Sequence, residues 1–146
     1  MINIRQMTSE DIPFVADMEK KIFSMPWSEN AFRQALESTN TIYLVAEYEN
    51  IVVGYCGMYY VMNEADITNV AVDSNYRKNG IAIAMLKEII AGAKKKGIEN
   101  VTLEVRESNV PAIKLYEKLG FKESGIRKNF YEKPVENAII MWKMSI

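Results

Sequence analysis

Along the chain the spacing of apolar and polar positions changes period several times, and each change marks an element. Residues 2–7 read as a short strand. Thr8, with Asp11 three places on, can cap a helix whose apolar positions Ile12, Val15, Met18, Ile22 and Phe23 recur at helical spacing. In "SMPWSENAF" Pro26 breaks that helix and Ser28 is a natural N-cap for a second. Trp27 stands at the junction, where it either plugs the core or lines a binding groove. Residues 41–48 and 51–62 are rich in Ile, Val and Tyr on either side of "EN", which predicts an antiparallel hairpin.

"EADITNVAVD" follows as another strand, but its alternation slips. Ile67 and Val70 cannot share a face of a regular strand, so a bulge near Asn69 is expected, with backbone N–H groups left unpaired. From Gly80 to Lys96 the pairs Lys87-Glu88 and Lys94-Lys95 fall seven apart and give one polar stripe on an Ile, Ala, Met and Leu surface. That is a largely buried helix closed by Gly97. "NVTLEVRES" alternates cleanly, with Val101, Leu103 and Val105 on one face and Thr102, Glu104 and Arg106 on the other. Asn109 can N-cap a further helix, with Pro111 in its first turn and Gly120 at its end, and two strands joined around Lys133-Pro134 complete the chain. The predicted order is β-α-α-β-β-β-α-β-α-β-β, an α/β fold with a mixed sheet in one domain spanning residues 1–146.

Composition narrows the chemistry. Hydrophobic residues make up 49% of the 146, enough for one core without disulfides or metals. Lys plus Arg number 18 against 19 Asp plus Glu, which gives no electrostatic case for nucleic acid or an anionic membrane surface. With one cysteine, Cys56, and no histidine, disulfide frameworks, Cys/His zinc sites and His-based triads are excluded. The first residues carry no basic, apolar leader and no stretch is long enough for a membrane span, so a soluble cytoplasmic protein is expected. Nothing in the sequence sets an oligomeric state.

The segment Arg77-Lys78-Asn79-Gly80-Ile81-Ala82 stands where a strand gives way to a helix. First-turn N–H groups lack intrahelical acceptors and the helix end carries partial positive charge, so such a turn can hold an anion. Gly80 and the small Ala82 keep the approach open, and Arg77 and Lys78 add charge. Taken alone, the segment reads first as a plain solvated turn. It lacks the Gly-Lys-Ser/Thr ending of a nucleoside-triphosphate loop and the dinucleotide Gly-x-Gly-x-x-Gly pattern.

The pattern Arg-x-x-Gly-x-Ala after "NVAVD", followed by "LEVRESN" and "AIKLYEKLGF", resembles the GCN5-related N-acetyltransferase superfamily. With "PWSENAF" and "RKNFY" in the same order, the resemblance covers nearly the whole chain and is nearest to the branch that acetylates the N-terminal alanine of ribosomal protein bS18. It implies a mostly antiparallel central sheet flanked by helices, acetyl-CoA as cofactor, and a protein N-terminus as substrate and partner. It further implies that backbone amides of Val70, Ala71 and Val72 hold the pantetheine arm, that Arg77 to Ile83 (Arg77, Lys78, Asn79, Gly80, Ile81, Ala82, Ile83) hold the pyrophosphate, and that Asn109 touches the cofactor. Glu104 matches the family's general base and Tyr116 its general acid. Tyr131 and Trp27 are candidate substrate contacts, as is Glu64 with Asp66 for a basic peptide tail. Each also has a plain reading: Tyr116 and Tyr131 as packing, and Glu64 and Asp66 as solvated carboxylates. A small amine or polyamine as acceptor, or a non-catalytic acyl-CoA-binding module, are the alternatives. The presence of both Glu104 and Tyr116 weighs against the module. Ala82 where a second Gly is common is the main departure from the pattern.

Overall fold

The computed structural model describes residues 1–146. The elements follow the predicted order: β1 (Ile2–Gln6), α1 (Ile12–Ile22), α2 (Glu29–Glu37), β2 (Thr41–Tyr48), β3 (Ile51–Val61), β4 (Glu64–Val72), α3 (Ile81–Lys95), β5 (Asn100–Arg106), α4 (Val110–Lys118), β6 (Lys122–Tyr131) and β7 (Glu136–Lys143). All strands join one sheet in the order β1-β2-β3-β4-β5-β7-β6. Every neighbouring pair is antiparallel except β4 and β5. A parallel pair needs a crossover, and α3 makes it. No helix is long and apolar enough to cross a membrane.

The alternation of β2 divides the core between two faces. Leu44 and Ala46 pack with Ile81, Met85, Leu86 and Ile89 of α3 and Tyr116 of α4. Tyr43 and Val45 pack with Ile12, Val15 and Met18 of α1 and Phe32 of α2. Gly92 lies inside α3, and a Cβ added there would meet only Ile42 Cδ1, at 4.0 Å. Gly92→Ala should therefore stabilise the fold by roughly 0.5–1 kcal/mol, read as a higher thermal midpoint.

Near the first helix the structure adds to the expectation. Ser9–Asp11 form a 3-10 turn, and the Asp11 carboxylate accepts from the Thr8 N–H at 2.7 Å and from two Arg5 guanidinium nitrogens at 2.8 Å each. The residue that caps the helix therefore also clasps it to β1. Burial alone would raise the Asp11 carboxyl, but the Arg5 and Thr8 bonds outweigh it and hold it below the ordinary range. The clasp's contribution to stability is complete above about pH 3.9 and is lost as pH falls through the lower folded value. Urea midpoints of wild type and Asp11→Asn should differ at neutral pH and converge as the solution is acidified.

The Pro26 junction is held by a carboxylate that helix periodicity did not single out. Glu19 of α1 is 3% exposed and accepts from the Trp27 N–H at 2.9 Å and from the Tyr55 hydroxyl at 2.6 Å. Ser28 caps α2 as expected, its Oγ accepting from the Ala31 N–H at 3.1 Å.

Candidate active site

β4 and β5 are paired only from Glu64 opposite Asn100 to Ile67 opposite Leu103. β4 runs on to Val72 and β5 to Arg106, so beyond Ile67 the sheet forks and the edge of β4 that faces β5 is open. The expected bulge lies at the mouth of this fork. Gly57 stands opposite Asn69 but Met58 opposite Ile67, which leaves Thr68 as the extra residue. Thr68 Oγ1 donates to Asn69 Oδ1 at 2.7 Å, and the Tyr43 hydroxyl donates to the same oxygen at 3.1 Å. Trp27 packs on the Tyr43 and Phe32 rings, with centroids 6.3 and 5.3 Å away, so its observed contacts brace the bulge from behind.

Register decides which amides face the open edge. The Asp73 N–H donates to the Val53 carbonyl of β3 at 2.8 Å, and amides alternate along a strand. The Ala71 amide therefore also faces β3, while those of Val70 and Val72 face the fork. The Val72 carbonyl, which points the same way, accepts from Arg77 Nε at 3.1 Å. Of the three amides implied by the resemblance, two front the cleft. Ala71 does not, and its side chain is buried among α1 and α2 residues.

The open edge leads into the Arg77–Ile83 turn. Lys78 and Gly80 are left-handed, with φ of 66° and 73°. From Arg77 through Ile83 no backbone N–H donates to a protein acceptor, the first bond of α3 being that of the Ala84 N–H to the Gly80 carbonyl at 3.1 Å. A Cβ at Gly80 would meet nothing within 4 Å, so the approach is clear. A run of bare amides at a helix start, in a turn that also carries the exposed Lys78, suits a pyrophosphate. Ile81 is buried in the core and offers only its N–H, Ala82 and Ile83 are half-buried, and the Asn79 side chain is tied to the Tyr76 carbonyl at 3.1 Å. Asn109 caps α4, its Oδ1 accepting from the Ala112 N–H at 3.3 Å, which leaves its amide nitrogen to donate outward.

Glu104 is the first β5 residue past the paired stretch and lies on the half-buried polar face of the strand. Arg127 Nε is 3.4 Å from Glu104 Oε2. Tyr116, on α4, comes to the fork from the other face, among Leu103, Val105 and Phe121. Its hydroxyl has no protein hydrogen-bond partner, and since no buried side-chain oxygen lacks one, it reaches open space. Burial above all, then the neighbouring Tyr131 phenol and Cys56, raise Tyr116 above the ordinary phenol value, which keeps it a proton donor. Tyr131 links the two faces electrostatically: burial and then Glu104 push it up to about 12, while Arg106, 4.5 Å over its ring, pulls it down.

Glu64 is exposed at the start of β4, opposite Asn100 and away from the fork. Asp66 is the acid beside Glu104. Burial, then the Glu104 charge, push it up to about 6, against the opposing pull of the Tyr59 hydroxyl and of Arg127. Tyr59 is its cross-strand partner on β3. The sequence reading missed Tyr59 and Arg127 as parts of this cluster. A period-two count from Asp66 and Glu104 onto neighbouring strands would have reached Tyr59 only with the register in hand.

A mixed sheet that forks between two parallel strands and runs into a turn of bare amides defines the class of acyl-CoA-dependent acyltransferases. The chain belongs to the acetyltransferase (GNAT) family, whose model matches residues 12–121, and is an N-acetyltransferase of that family. It is 34% identical over 143 residues to the [ribosomal protein bS18]-alanine N-acetyltransferase of Escherichia coli (strain K12), covering 97% of this chain and 96% of that one. It is 39% identical over 140 residues to a Bacillus subtilis (strain 168) protein provisionally given the same name, covering 95% and 93%. The crystal structure of the Escherichia coli ribosomal-protein-S18-alanine N-acetyltransferase superposes with a TM-score of 0.92 at 33% identity, over 100% of this chain and 96% of that one.

Proposed function

We propose that this protein transfers the acetyl group of acetyl-CoA to the N-terminal alanine of ribosomal protein bS18, with Glu104 as general base and Tyr116 as general acid. The observation that carries the reading is the fork: Glu104 and Tyr116 approach it from opposite faces, and its open edge leads from the Val70 and Val72 amides to the bare amides of Arg77–Ile83. The names of the relatives support the acceptor.

Acetyl-CoA supplies an activated acetyl thioester. The turn amides and Lys78 would hold the pyrophosphate, and the Val70 and Val72 amides would orient the arm. Asn109 adds a side-chain donor from the start of α4. Glu104 takes a proton from the attacking amine. An N-terminal amine has a pKa of about 7.7–8.0, so a minority is already neutral at pH 7 and the base has one modest proton to remove. The Tyr116 hydroxyl donates to the departing sulfur. A phenol is a weaker acid than a thiol, and burial weakens this one further, so its help is a hydrogen bond that tightens in the transition state. Tyr131, beside Glu104, is the candidate wall of the acceptor side, while Trp27 acts through the bulge it braces and Glu64 lies outside the fork.

Because the Tyr116 hydroxyl bonds to no protein group, Tyr116→Phe should leave the thermal midpoint nearly unchanged while turnover falls well over tenfold at constant acetyl-CoA affinity. The acceptor is tested by thiol release from acetyl-CoA with an alanine-headed peptide, its N-terminally blocked form, and polyamines. Release with the free peptide alone is expected. Release with polyamines alone would move the acceptor to small amines, and release with none would leave an acyl-CoA-binding module.

A further inference from the structure

We propose that Arg127 is a specificity-determining residue that offsets the acidic charge of the acceptor end of the fork, so that the acceptor amine is held neutral and polycationic amines are kept out. This rests on the acceptor-side placement of Glu104 made above. Arg127 lies on β6 opposite Ala138, where the pairing of β6 with β7 turns irregular up to Tyr131. Asn129 is left-handed there, with φ of 53°, and its N–H donates to Asn137 Oδ1 at 2.9 Å. The Arg127 guanidinium reaches back over the fork to Glu104 at 3.4 Å, with its Cζ 6.0 Å from the Phe130 ring centroid.

The charged and titratable groups around the Glu104–Arg127 pair come from four strands. Glu104 is on β5, Asp66 on β4, Tyr59 on β3 and Tyr131 on β6, and the Glu104 charge raises the other three. Arg106, the cation over the Tyr131 ring, is engaged by Glu136 at 3.1 Å and by the Pro134 and Glu132 carbonyls. Arg127 is therefore the guanidinium available to the Asp66–Glu104 pair, and its side chain is 56% exposed, free to swing as the amine enters. Two carboxylates without it would attract an ammonium and hold its proton, the opposite of what attack on a carbonyl requires. With it, one of the two negative charges is offset, the pull on an ammonium weakens and the neutral amine gains.

The test compares wild type, Arg127→Gln and Arg127→Lys by steady-state kinetics across pH with the alanine-headed peptide, and by inhibition with spermidine. For Arg127→Gln, lost charge should lower the peptide KM and the spermidine inhibition constant roughly threefold or more, lower kcat at neutral pH, and move the acid limb of the kcat profile upward. Arg127→Lys should restore much of the wild-type profile. A merely structural ion pair would move the thermal midpoint and leave the acid limb and the KM-against-kcat split in place, and that result would overturn the proposal. If the wild type acetylates spermidine and not the peptide, the acceptor proposed above fails by itself. The change in spermidine KM on Arg127→Gln then still decides for or against Arg127.

Discussion

Glu104→Gln is expected to lower kcat/KM for an alanine-headed peptide about a hundredfold at pH 7, within the range that a positioned base contributes. The carboxamide keeps the size of the side chain at the mouth of the fork but cannot take the proton of the attacking amine. The loss should shrink as pH rises above the amine pKa of about 7.7–8.0, since the amine then arrives neutral without help. The same change removes the charge partner of Arg127, but that pair is more than half exposed on the arginine side and adds little to stability. The thermal midpoint should therefore stay close to wild type while the rate collapses. A rate within a few-fold of wild type across pH would reduce Glu104 to a solvated strand carboxylate.

Gly57→Ala is expected to cost about 3 kcal/mol or more, the upper range for overpacking a well-filled core. A Cβ at Gly57 would lie 2.0 Å from Tyr43 Cε2 and 2.4 Å from Cδ2 and Cζ. The ring has nowhere to retreat. It is packed against Trp27, and its hydroxyl is bonded at the Thr68–Asn69 bulge. Moving it would disturb the bulge that sets the direction of the Val70 and Val72 amides, so acetyl-CoA affinity should fall together with the denaturant midpoint. Gly125→Ala is the control, because a Cβ there meets only Ile140 Cδ1, at an ordinary 3.8 Å. Equal midpoints for the two variants would show that Tyr43 has room to yield.

Much of this architecture was legible because period carries facing information wherever one side of an element is apolar. Clean alternation in β5 put Glu104 on the polar face, and the structure agrees. The slip between Ile67 and Val70 announced the bulge, since both pack on the α3 side and only an extra residue permits that. The hydrogen-bonding phase of β4 was not legible, because side-chain alternation says nothing about which neighbour an amide faces. That is why Ala71 was grouped with Val70 and Val72. Arg127 was hidden for a different reason: β6 is exposed along almost its whole length, so its pattern does not distinguish its faces. Glu19 escaped notice because its partners, Trp27 and Tyr55, are set by tertiary packing, where a carboxylate on a helix would ordinarily face water.

The central claim, that the fork delivers an acetyl group to an N-terminal alpha-amine, is tested most directly by locating the acetyl group on its acceptor. Purified protein is incubated with acetyl-CoA and full-length, unacetylated ribosomal protein bS18, and the product is fragmented by mass spectrometry. Acetyl should appear on the alpha-amine of the N-terminal alanine and on no lysine, and Glu104→Gln should abolish most of it. Acetyl on lysine side chains, or none on bS18 under conditions where another amine is acetylated, would contradict the account.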